Sequence, residues 1–168
     1  MIRKGEMRMR KGFTIIETTL VIAIAGLIFL MVFVALPGLR AQQRDTDRRE
    51  DVTKVIREIK DYQTNNRGAL PTDWGEFHIN YLDSDSFMDP DGTEYTLSVV
   101  QCGAETPDSE CTDDELGQLA SASFPNGYTV YVVLQASCSG EKAVGSSNPR
   151  KVAVLYRLER AGIYCENS

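Results

Sequence analysis

The feature that most constrains this chain is an apolar run at residues 18–39, which contains no charged side chain. Its 22 residues would form a helix about 33 Å long at ~1.5 Å per residue. The hydrocarbon core of a bilayer is about 30 Å thick, so the run can cross it. A cleaved secretory signal has an apolar core of only about 7–15 residues, so the run predicts a retained membrane helix.

The N-terminal flank, residues 1–12, carries five Lys and Arg side chains against one Glu. Basic flanks of membrane helices stay in the cytoplasm, so we expect residues 40–168 to form an extracytoplasmic globular domain. One acid, Glu17, directly precedes the uncharged run. An ionised carboxylate inside a membrane is costly unless it is paired, and such residues usually serve a function.

Residues 11–17, Lys-Gly-Phe-Thr-Ile-Ile-Glu, followed by the apolar run, resemble the class III signal of type IV prepilins and pseudopilins. The resemblance is confined to the N-terminal segment. It implies that a prepilin peptidase removes the leader by cutting after Gly12, and that the new N-terminus, Phe13, is methylated. It also implies that Glu17 serves filament assembly through the membrane and assembly helix, residues 13–39.

The chemistry of Glu17 agrees with this resemblance. Cleavage after Gly12 would create a cationic α-amino group on Phe13, with a reference pKa of about 8. One straight helix cannot fold its own N-terminus back onto Glu17, but a neighbouring subunit can supply the amine. The alternative is an uncleaved signal anchor in which Glu17 lies near the lipid headgroups and has no role.

The helix is expected to continue past the membrane to about residue 66, with a kink or loosening at Pro37 and Gly38. Pro37 lies about one turn later than the usual proline of the pilin family. Beyond the charged residues 40–50, five apolar side chains recur at helical spacing and predict a core-facing stripe. They are Val52, Val55, Ile56, Ile59 and Tyr62. Gly68 suits a left-handed cap after the helix.

Residues 69–92 are rich in turn-forming residues, and five large side chains should anchor them in the core: Trp74, Phe77, Tyr81, Leu82 and Phe87. Strand-like runs follow at residues 95–102, 128–136 and 152–158. The acidic insert, residues 103–124, could include a short helix at 113–121. The predicted class is α+β, with one long helix, half membrane and half amphipathic, on a small antiparallel sheet. Pilins have this architecture.

The four cysteines all lie in the expected extracytoplasmic domain, which suggests two disulfide bonds. Three connectivities are possible, and we favour Cys102–Cys111 with Cys138–Cys165. The second bond would tie the C-terminus to the end of a strand. A zinc site is disfavoured because there is no CxxC motif and the single histidine, His78, is distant in sequence.

An aspartate-rich segment raises the question of a metal. Its carboxylates include Asp83, Asp85, Asp89 and Asp91, and calcium prefers clustered oxygen ligands. The spacing does not match an EF-hand loop, and Asp89-Pro-Asp-Gly is also a good turn sequence without any metal. We favour the structural turn, which resembles the Asp-Pro-x-Gly turn of several pilin-like chains, and we expect no cofactor, with calcium as the alternative.

The composition favours a structural role over a catalytic one. The full chain has a formal charge of −6, and loss of the basic leader would leave −10, which argues against nucleic-acid binding. The sequence contains no nucleophilic triad and no phosphate-binding glycine loop, so we do not expect an enzyme.

The leading hypothesis is a subunit of a type IV pilus or pilin-like filament, stored in the membrane and later exposed at the cell surface. Its expected partners are other copies of itself, related pilins, the prepilin peptidase and the assembly platform in the cytoplasmic membrane. Two alternatives are a pseudopilin of a type II secretion or DNA-uptake machine and a membrane-anchored binding module that does not polymerise.

Overall fold

The structure is a computed structural model, and it describes residues 12–82, 87–102, 106–111, 128–160 and 162–168. The chain divides into two compact units, Met1–Arg40 and Ala41–Ser168. Residues 83 and 85, two of the candidate calcium ligands, lie outside the described residues. The predicted short helix at 113–121 also lies outside them.

The longest element is helix α1, Ile15–Asn65, with 51 residues. The predicted bounds, 13 to about 66, are therefore confirmed to within two residues. The helical assignment continues through Pro37 and Gly38 without a break, so the predicted kink remains a prediction. In the first unit the side chains of residues 12–37 are exposed, including Phe13 and Phe33. A helix that is apolar all round suits lipid or other apolar helices, and α1 is long and apolar enough to cross a membrane.

The α-helix ends where the sequence predicts. Gly68 has φ +83° and donates its backbone N–H to the Gln63 carbonyl at 2.6 Å, closing the last turn. A one-turn helix, α2, follows at Trp74–Phe77, capped by the Asp73 carboxylate, and continues into a π-helical turn, His78–Leu82. Phe77 and Leu82 are buried, which confirms them as core anchors.

The second unit contains six strands. They are β1 Thr96–Gln101, β2 Thr129–Leu134, β3 Ala136–Ser139, β4 Lys142–Gly145, β5 Val152–Arg157 and β6 Ile163–Asn167. One sheet has the order β1-β2-β5-β6, and β3 and β4 form a separate antiparallel hairpin. All three predicted strands are present. The second ends early because Gln135 adopts φ +56°, which interrupts the extended chain before β3.

The predicted α+β arrangement is confirmed, and the sheet is mostly antiparallel, with one pair that differs from the prediction. Strands β1 and β2 are parallel, with Thr96 opposite Thr129, whereas the β2–β5 and β5–β6 pairs are antiparallel as expected. A parallel pair needs a long crossover connection. The connection from β1 to β2 is long enough to return the chain to the same end of the sheet. The alternation of side chains between the two faces is the same in parallel and antiparallel strands, so the sequence pattern could not distinguish the two arrangements.

The main core lies between the second half of α1 and one face of the sheet. The helix contributes Val52, Val55, Ile56 and Ile59, which confirms the predicted stripe. The sheet contributes alternate residues of β2 and β5, such as Val132 and Val154. A second cluster, which includes Val133, Ala153 and Leu155, covers the other face. Strand β5 is consequently buried on both faces.

Candidate functional site

The segment predicted to be processed belongs to the first unit. Gly12 and Phe13 precede α1, and the Phe13 side chain is 82% exposed. Thr14 caps the helix, since its side-chain Oγ1 accepts the backbone N–H of Glu17 at 3.3 Å. Thr14-x-x-Glu17 has the residue spacing of a capping box, a signal that the sequence analysis missed.

Glu17 is placed in the first turn of α1 and is exposed. A carboxylate is favoured at this end of a helix because the free backbone N–H groups carry partial positive charge. Within the described residues Glu17 has no ion-pair partner. The geometry therefore places Phe13 and Glu17 on the same short segment, both accessible to a neighbouring molecule.

The second unit contains an ion cluster that we define by Arg48, Asp45, Asp89 and Glu159, of which the first three are buried. Arg48 and Asp89 are 2% and 0% exposed at their side chains. The guanidinium Nε of Arg48 donates to Asp89 Oδ2 at 2.6 Å, and its Nη2 donates to Asp89 Oδ1 at 3.0 Å. This two-point contact joins α1 to the turn that follows Phe87.

The same cluster reaches the chain after β5. Asp45 accepts the backbone N–H groups of Glu159 and Arg160 at 2.8 and 3.0 Å, and Arg48 contacts both Asp45 and Glu159 at 3.4 Å. On the solvent side Arg44 donates to both carboxylate oxygens of Glu159, the shortest distance being 2.7 Å. Arg48 thus connects α1 both to the turn after Phe87 and to the chain after β5.

Two tyrosines complete the surroundings of Asp89. Tyr156 donates its hydroxyl to Asp89 Oδ2 at 3.2 Å, while Tyr95 donates to Asp51 Oδ2 at 2.9 Å and lies 3.5 Å from Asp89 Oδ2. Burial, with the nearby negative charge of Asp51, raises the pKa of Tyr95 far above its usual value. Burial also raises the pKa of Tyr156, to which the charge of Asp89 adds. Both hydroxyls are donors.

The charges of the cluster favour the protonated, cationic form of Arg48. Burial disfavours the charged guanidinium, but the hydrogen bonds and charge of Asp89 outweigh burial and raise the pKa of Arg48. On the solvent side the hydrogen bond from Arg44 lowers the pKa of Glu159. The contacts of the cluster hold the helix, the turn and the strand end together.

Sequence reasoning missed this cluster because it noted only the density of charge at residues 40–50 and did not ask which of these side chains face the core. A usable signal was present. Ala41, Asp45 and Arg48 continue the stripe of Val52 and Val55 backwards at steps of three and four, and all five are buried. Two polar residues on the core face of a helix predict buried partners elsewhere in the chain.

The Asp-Pro-Asp-Gly segment forms the favoured turn. The Asp89 carbonyl accepts Gly92 N–H at 2.7 Å, and Gly92 has φ +89°. Asp91 accepts the backbone N–H of Thr93 at 2.9 Å and the hydroxyl of Tyr128 at 2.7 Å. Among the described residues no group of three acidic, histidine or cysteine side chains is arranged to hold a metal. Both described aspartates instead bind protein groups.

Both disulfides have the favoured connectivity. Cys102–Cys111 joins the end of β1 to a short segment that hydrogen-bonds to β4, with Cα atoms 4.9 Å apart. Cys138–Cys165 joins the β3–β4 hairpin to β6, with Cα atoms 5.8 Å apart. The C-terminal strand is therefore held by a covalent bond as well as by its pairing with β5.

The single histidine and tryptophan have packing contacts. The ring of His78 meets Phe87 edge-on with centroids 5.8 Å apart, and Trp74 meets Phe77 edge-on at 5.4 Å. The Nε2 atom of His78 is buried and has no hydrogen-bond partner. Trp74 thus contacts the core as predicted.

Comparisons with known proteins give no relative for this chain. It matches no protein-family model, no curated protein and no solved structure.

Proposed function

We propose that this protein is a structural subunit of a type IV pilus or pilin-like filament. The prepilin peptidase cleaves it after Gly12, its new N-terminus Phe13 is methylated, and it polymerises through the apolar part of α1. The observation that carries the proposal is the order of basic leader, Gly12, Phe13 and Glu17 at the start of an exposed apolar helix.

The apolar part of α1 supports a location first in the lipid bilayer and then among the helices of other subunits. Its exposed side chains have no covering in the first unit, and such a surface is stable only in an apolar environment. The bilayer provides that environment before assembly. Neighbouring copies of the same helix provide it afterwards, so extraction from the membrane and polymerisation are coupled.

Glu17 supports assembly with a defined register. A carboxylate transferred into an apolar filament core is costly unless a cation meets it at the same depth. The α-amino group of a neighbouring Phe13 is such a cation after cleavage at Gly12. Subunits stacked in the correct register gain this pair, whereas subunits in other registers leave Glu17 unpaired.

The second unit supports an extracytoplasmic, exposed location. Its two disulfides suit an oxidising compartment, and the ion cluster fixes the loops around Arg48. We propose no enzymatic activity and no cofactor for it. The proposed partners are copies of itself, related pilins, the peptidase and the assembly platform.

The test is electron microscopy and mass spectrometry of material sheared from cells that produce the chain. We expect filaments that contain it, and we expect Glu17→Gln to reduce its incorporation severely because the neutral side chain cannot pair with an amine. Glu50→Gln, an exposed glutamate on the same helix, is the matched control and should incorporate normally.

Three outcomes would contradict parts of the proposal. Short filaments confined to the cell envelope would indicate a pseudopilin. A chain that stays monomeric in the membrane would indicate the anchored binding module. Normal incorporation of Glu17→Gln would show that Glu17 does not set the register.

A further inference from the structure

An open cavity of about 390 Å³ lies beside the first turns of α1 in the second unit. Its lining consists of Gln42, Asp45, Thr46, Arg49 and Arg160. The four helix residues are spaced so that they share one face, because side chains three, four and seven positions apart are neighbours on a helix. Helical side chains lean towards the N-terminus, so Arg49 extends along this face towards Thr46.

The lining contains one acid and two cations. The acid, Asp45, is buried and accepts two backbone N–H groups and a hydrogen bond from Arg48. The cations are the guanidinium groups of Arg49 and Arg160. Arg49 is held in place over the ring of Tyr164, with its guanidinium carbon 5.5 Å from the ring centroid.

The position of the cavity in the chain limits what it can meet. Gln42 is three residues after Leu39, the last residue of the apolar run. Residues 39–42 are helical, so the three residues rise ~4.5 Å, at ~1.5 Å per residue. The headgroup layer on each side of a bilayer is about 5–7 Å thick. While residues 18–39 cross the membrane, the start of the cavity is therefore within reach of the lipid headgroups.

We propose that this cavity binds the phosphodiester headgroup of an anionic glycerophospholipid. Arginine is well suited to phosphate because its planar fork can donate two parallel hydrogen bonds. Arg49 and Arg160 bind the phosphate, and Gln42 and Thr46 offer polar contacts to the glycerol. The inference rests on the membrane-stored state in the proposed function, but not on polymerisation. Headgroup binding holds the second unit at the membrane surface until the subunit is extracted.

The experiment uses the full chain in neutral detergent micelles, with native mass spectrometry to measure retained lipid. Phosphatidylglycerol and phosphatidylcholine are compared at equal concentrations. We expect preferential retention of phosphatidylglycerol, and we expect removal of each arginine to weaken it about fivefold, since one arginine near an anionic surface contributes ~1 kcal/mol. The variants are Arg49→Gln, Arg160→Gln and their combination. Arg57→Gln, an exposed arginine further along α1, is the matched control and should retain the preference.

Equal retention of the two lipids by the wild-type chain would overturn the inference. This outcome needs no variant, so it does not depend on whether the variants fold. Loss of the preference in Arg57→Gln as well would also overturn it, because the effect would then be general surface charge. A third arm adds glycerol phosphate as a soluble competitor. Displacement of the lipid at equal concentration would assign the site to a soluble phosphate and overturn the lipid assignment.

Flotation of the chain with phosphatidylcholine vesicles separates this inference from the proposed function. A chain that floats but shows no headgroup preference contradicts only the lipid site. A chain that does not float contradicts the membrane-stored state, and therefore contradicts both the proposed function and the lipid site.

Discussion

The guanidinium of Arg48 and the carboxylate of Asp89, 41 positions apart, form a buried two-point ion pair at 2.6 and 3.0 Å. The pair connects α1 to the turn before β1, and the wider cluster adds the chain after β5. Removal of one member of such a pair leaves the other charge buried and unpaired, which is more harmful than the absence of both.

Arg48→Met should therefore destabilise the second unit by about 3–5 kcal/mol, because Asp89 loses its cation in a buried site. Arg44→Met removes a partly exposed partner of Glu159 and should cost no more than ~1 kcal/mol. Urea unfolding of the full chain in detergent, followed by the fluorescence of the single tryptophan, Trp74, measures both. Equal losses in the two variants would contradict the assignment of Arg48 as the central residue.

The double variant Arg48→Met/Asp89→Leu should be more stable than the Arg48→Met single variant. It removes the unpaired charge, and burial of well-packed apolar side chains can replace a buried ion pair. A double-mutant cycle from the same unfolding data gives the coupling energy. Additive losses would mean that the two residues act independently, against the geometry.

Asp51 should give the second unit an unusual pH dependence. Burial raises the pKa of its carboxyl above 3.8, although the hydrogen bond from Tyr95 lowers it. A carboxyl with a raised pKa holds its proton more tightly in the folded state, so its contribution to stability falls as the pH rises from 3.8 through the raised value. Asp51→Asn keeps an acceptor for Tyr95 and removes this loss.

The stability of Asp51→Asn relative to wild type should therefore increase across that pH window and then level off. Unfolding free energies measured from pH 3 to 7 check this, at about one-unit steps that resolve a single titration. Asp61→Asn changes an exposed carboxyl on the same helix and is the control. A pH-independent difference between Asp51→Asn and wild type would refute the prediction.

The two disulfides should contribute unequally. Their cysteines are 27 and 9 positions apart, and a longer closed loop restricts the unfolded chain more. Chain entropy predicts a loss of about 3–4 kcal/mol for Cys138→Ala/Cys165→Ala and about 2–3 kcal/mol for Cys102→Ala/Cys111→Ala. Urea midpoints of the two double variants test the order. A larger loss for the Cys102–Cys111 pair would contradict the loop-length argument.

The sequence predicts those parts of the fold that depend on local periodicity. The spacing of Val52, Val55 and Ile59 predicts their burial, and Gly68 marks the helix end. Strands β2 and β5 are rich in β-branched residues, so they are also predictable. Strands β3 and β4 were missed because each has only four residues, most of them small or polar, and β6 because it is short and only half-buried.

Non-local features could not be predicted in the same way. The direction of β1 against β2 depends on the route of the connection between them, not on either strand. The partnership of Arg48 with Asp89 depends on the fold that brings the turn onto α1, and the sequence around Asp89 predicts only a turn, with calcium as the alternative. Thr14 was predictable, since its capping role depends only on its spacing from Glu17.

The most direct test of the central claim is intact mass spectrometry, with N-terminal sequencing, of the protein from producing cells. We expect a chain that begins at Phe13 and carries one N-methyl group. A variant with Gly12→Val should keep its leader, because the cleavage site is altered, and should be missing from sheared filaments. Wild-type protein found only with Met1 at its N-terminus, in cells that contain an active prepilin peptidase, would contradict the account.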